Sequence, residues 1–512
     1  MGKKYNSAVC FIRKYYLPGE NNEPIIIDKE NLTNQIAGFN EKSIKATYLL
    51  QYDALIDGFY SETVRKEEKE HNAEIGIWLE IVRNLAEDSN VKFLGREHHI
   101  WDPFANAGFS CAYNENDRKR LVDCIMNKFK SVYGCYPKTI GSWIIDSQTM
   151  KYISEKYSPD VFVICRSQWG MDGYTLWGGP YYGLYYPSKN NMLCPAQTPE
   201  NQINTPVLRM FVNDPIYAYY EHEKKDISGK KYELFTQEPA WQCGSSPLWI
   251  KWHYDTLFKE NCIGYAYTQL GQENSFGWKK IENGFNYQLE FASKNKDFYG
   301  YEFATLSEIG RKFKEEYIST PITGRFVIGD WENNDTFSLW YNSKYYRVNL
   351  CIENENLHIR DIHLFDEKYQ DQYLKNPCTE KNAVYSTLPI MDGVRFGRDD
   401  RHACFDLGKC SVVDVSKKCN SYVVLANCDA GDLIISMEEN QIKIKSSNDF
   451  SIKIDIFNDE YVRKYGKNYI EYKYYEYSYK LYIKNGYISY SEIFSDDSII
   501  VLSFEEGNES NV

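Results

Sequence analysis

The sequence predicts a mixed α/β fold in which a parallel (β/α) barrel of seven or eight strands precedes an antiparallel β-sandwich. Strand-like and helix-like runs alternate from residue 7 to about residue 317, a pattern typical of parallel strands covered by helices. After about residue 320, short runs with period-two alternation and turns containing Asn, Asp and Gly replace them, which is typical of antiparallel sheet. The predicted domains are therefore residues 1–320 and 321–512.

Eight runs in the first part have the length and apolar content of barrel strands. These runs are 7–13, 45–53, 74–81, 139–146, 161–168, 207–214, 232–240 and 263–271. Amphipathic stretches lie between several of them and predict helices, among them 116–134 and 246–261. Two insertions, at 90–115 and 169–206, interrupt the alternation. Long insertions at one end of a barrel usually build the walls of a pocket.

Composition argues against several classes of partner. The net charge of −13 does not fit the clustered basic surface that nucleic-acid binding needs. No apolar run approaches the roughly 18 residues of a membrane span, and the first residues lack a signal-peptide pattern. The 14 cysteines include no CxxC pair, so we expect neither a disulfide framework nor a zinc knuckle. A cytoplasmic protein without nucleic-acid or membrane partners is the expectation, and no pattern predicts an oligomeric state.

Carboxylates stand at or near the ends of six apolar runs. They are Asp53, Glu80, Asp146, Asp214, Glu238 and Glu273. The carboxyl ends of parallel barrel strands meet at one face, and barrel enzymes keep their active sites there. A packed core does not require an acid at the end of every strand, whereas a sugar-cleaving or sugar-binding cup uses several. The pattern therefore predicts a carbohydrate ligand.

Polar and aromatic residues near these carboxylates predict sugar contacts. Gln272 and Asn274 flank Glu273 in the segment GYAYTQLGQENSFGW and can bond hydroxyl groups. Tryptophan offers a flat apolar face that stacks on sugar rings. The candidates for stacking are Trp78, Trp143, Trp177, Trp241 and Trp278. Asp53, Asp172 and Asp214 are further candidates for hydroxyl binding.

Each of these interpretations has a structural alternative. Gln272 and Asn274 could belong to a hydrogen-bond network that locks the closing seam of the barrel. Asp172 precedes Gly173 and could be only a turn residue. Asp214 precedes Pro215 and could simply end a strand.

Several motifs resemble those of known families. IKATYLLQYDAL followed by AEIGIWLEI resembles the second and third strands of polysaccharide-deacetylase-like barrels, which typically read KATFF and then HEIGxHxxxH. That superfamily also includes α-mannosidase-like glycosidases on seven-stranded barrels. The set LLQYDAL, GSWIIDS, DGYTLWGG, PAQ, QEP and GQENSFGW is similar to a bacterial family of unassigned activity, in which such a barrel precedes a smaller β domain. The resemblance implies a barrel of the glycoside hydrolase/deacetylase type.

The sequence departs from the deacetylase pattern at the metal-binding positions. In the deacetylases the first strand ends in an acid pair and the third carries zinc-binding histidines. Here the first strand ends at Arg13 and Lys14, and Trp78 and Val82 take the histidine positions with Glu80 between them. We therefore expect no zinc site and no other cofactor.

The resemblance to the seven-stranded glycosidases implies catalytic groups after the fourth and seventh strands. Those positions hold Asp146, the expected nucleophile or base, and Glu238, the expected acid. The apolar neighbours Pro239 and Trp241 would raise the pKa of Glu238, which suits a general acid. Asp146 precedes a helix-like run, so a helix cap is its alternative role. Glu273 and Glu80 are the further catalytic candidates.

The leading hypothesis is a glycoside hydrolase that acts on an oligosaccharide by a metal-free, two-carboxylate mechanism. A barrel that binds carbohydrate without catalysis is the alternative from another functional class. A carbohydrate deacetylase with a rebuilt metal site is the third.

Overall fold

The computed structural model describes residues 3–19, 22–223, 234–398, 401–418, 420–429 and 431–505. The protein is of mixed α/β type, with a curled parallel half-barrel sheet and a large antiparallel sheet. The first twelve strands are β1 (Lys4–Ile12), β2 (Ala46–Leu50), β3 (Glu74–Trp78), β4 (Thr139–Gly141), β5 (Val161–Cys165), β6 (Gln168–Met171), β7 (Tyr174–Trp177), β8 (Leu184–Tyr185), β9 (Val207–Met210), β10 (Cys262–Ile263), β11 (Ala266–Leu270) and β12 (Glu302–Phe303).

Ten α-helices are present among the described residues, all of them before residue 320. They are α1 (Glu30–Glu41), α2 (Tyr52–Ile56), α3 (Gly58–His71), α4 (Arg83–Asp88), α5 (Glu115–Tyr133), α6 (Ser147–Tyr157), α7 (Gln242–Ser245), α8 (Pro247–Phe258), α9 (Trp278–Tyr299) and α10 (Leu306–Glu316). The helices predicted at 116–134 and 246–261 are confirmed as α5 and α8. Asn114 and Ser246 cap them by accepting hydrogen bonds from backbone N–H groups of the first turn. No helix in the described part of the chain is long and apolar enough to cross a membrane.

Seven parallel strands form the curled sheet, in the order β11-β1-β2-β3-β4-β5-β9. The short strand β8 pairs antiparallel with β9, and β12 lies parallel to part of β1. Strands β2 and β5 are buried along their whole length, as expected where a parallel sheet is covered on both faces. Inside the curl, Phe11 stacks on Trp78 with ring centroids 4.2 Å apart, and Trp143 packs against both rings. These three rings therefore pack together near the carboxyl ends of β1, β3 and β4.

The strands end earlier than the sequence predicts. The run predicted as 139–146 is a strand only over β4, and its last residue, Asp146, caps α6. The predicted strand 232–240 forms only an isolated bridge between Asn213 and Thr236 in its described part, residues 234–240. The side chain of Gln237 bonds Thr268 and the carbonyl of Gln269 in β11 and so replaces a backbone ladder at this seam. The sheet therefore has side-chain contacts between 234–238 and β11.

The remaining strands belong mainly to the antiparallel sheet. They are β13 (Thr323–Ile328), β14 (Phe337–Asn342), β15 (Tyr346–Glu353), β16 (Asn356–Leu364), β17 (Ala383–Ser386), β18 (Leu388–Asp392), β19 (Cys404–Lys418), β20 (Ser421–Cys428), β21 (Leu433–Met437), β22 (Gln441–Ser446), β23 (Ser451–Asp455), β24 (Val462–Tyr465), β25 (Tyr469–Tyr474), β26 (Tyr477–Lys484), β27 (Gly486–Ser489), β28 (Glu492–Ser495) and β29 (Ile499–Ser503). The antiparallel pattern predicted after residue 320 is confirmed.

Each of the two predicted domains contributes a strand that pairs with a strand of the other. β10 comes from the first part and pairs antiparallel with β13 of the large sheet. β17 comes from the second part and pairs parallel with β7, forming a three-stranded sheet β17-β7-β6. The boundary between residues 320 and 321 stays a prediction, and contacts across it are extensive.

One disulfide is present among the described cysteines. Cys410 in β19 and Cys428 in β20 stand directly opposite each other in the ladder and are joined. Disulfides persist mainly in oxidising compartments. The cytoplasmic location stays a prediction.

Candidate active site

A pocket opens at the carboxyl edge of the parallel sheet and has a cavity volume of about 180 Å³. Residues that follow five of the parallel strands reach it: Arg13 after β1, Trp143 after β4, Arg166 after β5, Phe211 after β9 and Glu273 after β11. Both predicted insertions contribute to the wall. Their pocket residues are Trp101, Pro103, Phe109, Asp172 and Tyr174. The pocket therefore lies where a parallel barrel keeps its active site.

Glu238 lines this pocket with 7% of its surface exposed. Its Oε1 accepts a hydrogen bond of 3.0 Å from Nε2 of Gln272. Burial raises the pKa of Glu238 to about 7, and the nearby carboxylates of Glu273 and Asp172 add to that rise, whereas Gln272 and the Arg166 charge oppose it. A carboxyl group with such a pKa carries a proton in a large share of molecules at neutral pH. Glu238 can therefore donate a proton to a bound ligand.

Glu273 lines the same pocket and forms an ion pair with Arg13. Nη1 of Arg13 lies 2.5 Å from Oε2 of Glu273, and its Nε and Nη2 bond both oxygens of Glu80 at 2.8 and 2.7 Å. Gln51 also donates to Glu80. Glu80 is fully buried and does not reach the pocket, so Arg13 stands between the two carboxylates. Their charges raise the pKa of Arg13 against the opposing effect of burial, which keeps the guanidinium charged.

Arg166 is a second buried cation in the pocket wall. Its Nη1 bonds Glu221 at 2.7 Å and Asn213 at 2.8 Å. Its Nη2 is buried and has no hydrogen-bond partner within the described residues. Arg166 lines the pocket and is 3% exposed, so its positive charge lies in the pocket wall with one N–H donor that no described residue accepts from.

Asp172 reaches the pocket from the tip of the β6–β7 hairpin. Asp172 and Gly173 have φ values of 54° and 80°, the left-handed pair that a two-residue hairpin turn requires. The carboxylate remains exposed in the pocket, yet the surrounding wall desolvates it and raises its pKa. It makes no hydrogen bond to another residue in the described part of the chain. Asp172 is therefore a turn residue that also lines the pocket, and its contact with a ligand stays a prediction.

The pocket wall is aromatic on several sides. Trp101, Trp143 and Trp241 all line it, and Lys280 lies over the Trp241 ring, 4.3 Å from its centroid. The indole Nε1 atoms of Trp101 and Trp241 are buried and find no hydrogen-bond acceptor among the described residues. These indoles add two donors to Nη2 of Arg166. The pocket thus combines donors, carboxylate acceptors and flat apolar faces.

Asp146 lies outside this pocket in a buried cluster of its own. Nη1 of Arg118 bonds Oδ1 of Asp146 at 2.8 Å, and Ser110 donates to Oδ2 at 2.5 Å. Both the backbone N–H and the hydroxyl of Thr149 donate to the same carboxylate. The helix-cap alternative weighed for Asp146 is the arrangement that the structure has. We do not place Asp146 among the groups that face the ligand.

Asp371 lies beside the Asp146 cluster, and its pKa provides a test of the negative charge on Asp146. Burial, together with the Asp146 charge, raises the pKa of Asp371 to about 7. The folded state therefore holds this proton more tightly than the unfolded state, so stability should fall as pH rises from about 4 to about 7. Asp371→Asn should remove that loss and stabilise the protein at pH 8 by on the order of 2 kcal/mol, measured by denaturant unfolding.

Glu367 provides a control for Asp371 with the opposite sign. Although burial opposes it, hydrogen bonds from Asn201, Thr198 and Gln197 lower the pKa of Glu367. Its contribution to stability is present above the unfolded pKa and lost as pH falls. Glu367→Gln should therefore destabilise the protein more at pH 8 than at pH 4. An equal pH profile for the two variants would contradict the assignment for Asp371.

Asp53 and Asp214 are also buried away from the pocket. Asp214 accepts hydrogen bonds from the backbone N–H groups of Ile216 and Tyr217 at 2.8 Å and from the Trp249 indole at 2.7 Å, which is the strand-ending role. Asp53 lies in the first turn of α2, where Asn84 donates to it and burial raises its pKa to about 6. Neither reaches the ligand pocket.

The remaining predicted contacts divide between the pocket, the core and a neighbouring groove. Trp78 is fully buried below the pocket, and Trp177 is buried with its indole donating to Asp392. Asn274 exchanges two hydrogen bonds with the backbone of Arg13, at 2.9 and 2.8 Å, as the seam-locking alternative predicts. Asn274 and Trp278 line a groove that shares Phe276 with the pocket.

The strand-end residues do not fit a zinc site of the deacetylase type. The guanidinium of Arg13 occupies the space between Glu80 and Glu273, where a metal ion would need anionic or neutral ligands only. Among the described residues, no group of three or more His, Cys, Asp or Glu side chains has a metal-binding arrangement. We derive no chemical step through a metal.

Sequence reasoning missed the cations of this site. The sequence shows Arg13 only as a departure from an acid pair, and it gives no functional signal for Arg166, which directly follows β5. A search of strand ends for bases as well as acids would have found both. Trp101 lies in the insertion 90–115, which is predicted to build a pocket wall, but it is not among the predicted stacking residues.

Comparison with known proteins finds a family model that matches part of the chain. Residues 79–323 match the family DUF3863, described as a domain of unknown function with a solved structure. The resemblance to a family of unassigned activity is thereby confirmed. No curated protein matches the chain.

Solved structures similar to this chain extend the comparison beyond residues 79–323. A Parabacteroides distasonis protein, provisionally described as a glycoside hydrolase/deacetylase, has 16% identity and a TM-score of 0.57, covering 78% of this chain and 94% of its own. This likeness shows a shared fold. A Pseudomonas aeruginosa protein, provisionally described as a polysaccharide deacetylase, has 12% identity and a TM-score of 0.37, covering 62% of this chain and 92% of its own. A Thermococcus litoralis 4-alpha-glucanotransferase has 8% identity and a TM-score of 0.32, with 98% of each chain covered.

Proposed function

We propose that this protein is a glycoside hydrolase that cleaves an oligosaccharide with Glu238 as general acid and Glu273 as the second, ionised carboxylate. The single observation that carries the proposal is the pocket itself. It brings a carboxyl with a pKa of about 7 and an arginine-paired carboxylate together between tryptophan rings. Glycoside cleavage needs one protonated and one ionised carboxyl group at the same bond.

The polar groups of the pocket suit a polyhydroxylated ligand. Each sugar hydroxyl is both donor and acceptor. The pocket residues Arg166, Trp101 and Trp241 each have a buried donor with no partner among the described residues, and the carboxylates of Asp172 and Glu273 are acceptors. Apolar faces of the indoles suit the C–H faces of a sugar ring. The carbohydrate connection of the Parabacteroides distasonis protein agrees with this chemistry.

The roles follow from the surroundings of each group. Glu238 would protonate the departing oxygen, because burial keeps its proton at neutral pH. Glu273 would act on the anomeric carbon or on a water molecule, and Arg13 keeps it oriented through a 2.5 Å contact. Asp172 would bind sugar hydroxyls from the hairpin tip. Asp146 is left with its capping role in this scheme.

We further propose that residues 234–238 take the closing position of a seven- or eight-stranded barrel. Thr236 forms an isolated bridge to Asn213 beyond β9, and Gln237 bonds β11 on the other side. Glu238 would then stand at the end of a strand-like segment, between the edges of the parallel sheet. In the same way, we propose that the C-terminal antiparallel sheet folds into a sandwich.

The experiment that tests the function is a hydrolysis panel of α- and β-linked aryl glycosides and oligosaccharides, with acetylated sugars as a separate arm. Each reaction would be run with and without a chelator. Turnover of glycosides that survives chelation supports the proposal. Release of acetate that the chelator abolishes would favour a deacetylase, and sugar binding without turnover of any substrate would favour the non-catalytic binding barrel.

Trp278 should affect long substrates selectively. It lines the groove that adjoins the pocket at Phe276, where sugar units beyond the cleaved bond would lie. Trp278→Ala should raise KM about fivefold for oligosaccharides of four or more units and leave the aryl monoglycoside within about twofold, because stacking on one aromatic ring contributes roughly 1 kcal/mol. Phe298→Ala, which removes a 70% exposed ring elsewhere, is the control. Equal KM changes for short and long substrates would contradict a role for this groove.

A further inference from the structure

The wall that carries Asp172 is held by a segment from the C-terminal half. Strand β17 pairs parallel with β7 over four residues, from Ala383 opposite Tyr174 to Ser386 opposite Trp177. Without β17, the hairpin β6–β7 would be an isolated pair of strands, and such two-stranded hairpins are only marginally stable. β17 therefore completes the sheet that presents Asp172 and Tyr174 to the pocket.

The same segment also holds the opposite insertion. The backbone N–H of Ala105 donates to the carbonyl of Lys381 at 2.9 Å, and that of Cys378 donates to the carbonyl of Cys111 at 2.8 Å. Nη2 of Arg118 bonds the carbonyl of Tyr373 at 3.2 Å. Residues 371–386, here called the brace, thus contact both the insertion that contributes Trp101 and the hairpin that contributes Asp172.

Tyr373 connects the two ends of the brace. Its hydroxyl accepts hydrogen bonds from the backbone N–H of Val384 at 3.0 Å and from Nε2 of Gln372 at 3.1 Å. Its ring packs against Tyr385 with centroids 5.0 Å apart. Tyr373 is 9% exposed and does not line the pocket.

We propose that the brace is a positioning element of the active site, which fixes the Asp172 carboxylate relative to Glu238 through the pairing of β17 with β7. This inference rests on the proposed function for its catalytic consequence. The DUF3863 match ends at residue 323, so the brace lies outside the matched part. The residues that line the pocket all precede residue 277, so the C-terminal half acts on the site through its support of the hairpin.

Hydrogen exchange tests the mechanical part of the proposal without any substrate. Tyr373→Phe removes one hydroxyl and leaves the Val384 N–H without its acceptor. Amides of residues 168–177 should then exchange roughly three- to tenfold faster, as measured by mass spectrometry on the full-length protein. Tyr346→Phe is the matched control, since this buried tyrosine in the same half donates to the carbonyl of Glu438 at 2.7 Å. It should leave exchange in 168–177 unchanged.

A double-mutant cycle tests the catalytic part. In the wild-type background, Tyr373→Phe should lower kcat about fivefold with little change in KM, because misplacement of a substrate-positioning group is felt mainly in the reacting complex. In an Asp172→Asn background the same change should lower kcat less than twofold. Tyr346→Phe should lower kcat less than twofold in both backgrounds.

The two readouts separate failure of this proposal from failure of the proposed function. Unchanged exchange in 168–177 would overturn the brace whatever the protein catalyses. Faster exchange with equal kcat losses in both backgrounds would overturn the link to Asp172. Faster exchange in a protein that hydrolyses no glycoside would retain the mechanical brace and reject the glycosidase and, with it, the catalytic consequence.

Discussion

Glu238→Gln is expected to lower kcat/KM for unactivated glycosides by at least about 10³-fold while the protein remains folded. The amide keeps the shape of the carboxyl group but has no proton to give to the departing oxygen. The wild type should lose activity as pH rises through about 7, where Glu238 loses its proton. The activity of the variant should not show this fall as pH rises through about 7. Initial rates between pH 5 and 9, together with thermal unfolding, would provide the measurement.

Leaving-group dependence identifies the role of Glu238. A glycoside with a dinitrophenyl leaving group needs no protonation, so its cleavage should fall far less in Glu238→Gln than that of an alkyl glycoside. Glu74→Gln is the control. Glu74 is a carboxyl at the amino end of β3 whose pKa is also raised by burial, and its removal should leave kcat/KM within about threefold. Equal losses for good and poor leaving groups would reject general-acid catalysis by Glu238.

Asp146→Asn is expected to destabilise the protein by about 3–5 kcal/mol, because it leaves the buried guanidinium of Arg118 without its counter-charge. The amide can still accept from Thr149, so the cap at α6 is partly kept. The folded fraction should retain activity within about tenfold. The measurements are denaturant unfolding and kcat/KM for each variant at a temperature where both are folded.

Removal of the partner charge gives the control for Asp146. Arg118→Met combined with Asp146→Asn should recover a large part of the lost stability, because no uncompensated charge remains in the cluster. An Asp146→Asn protein that is fully stable but loses activity at least about 10³-fold would contradict a purely structural role for Asp146. It would return Asp146 to the catalytic role that the resemblance to seven-stranded glycosidases implies.

The parallel sheet could be predicted well because its strands are continuous apolar runs separated by amphipathic helices. β1, β2, β3 and β5 lie where the sequence places them, with shorter carboxyl ends. The contact between residues 234–238 and β11 could not be predicted from the sequence. Gln237 makes its contacts to β11 with its side chain, and such contacts leave no periodic pattern.

The carboxylates predicted for the candidate site fall into two groups, those that line the pocket and those that accept backbone hydrogen bonds. Glu238, Glu273 and Asp172 reach the pocket, whereas Asp146 and Asp214 turn back to accept backbone N–H groups. Both behaviours follow from an acid after an apolar run, so the local sequence does not separate them. The buried partner decides, and Arg118 lies 28 residues away from Asp146.

The pairing of β17 with β7 has a consequence for the order in which the protein assembles during synthesis. The two strands are about 200 residues apart in sequence, and closing so long a loop is slow relative to local contacts. The emerging N-terminal half can form its helices and most of its parallel sheet, but the hairpin tip stays without a third strand until residue 386 has left the ribosome. The pocket wall that carries Asp172 therefore gains its third strand only after the whole parallel sheet has been synthesised.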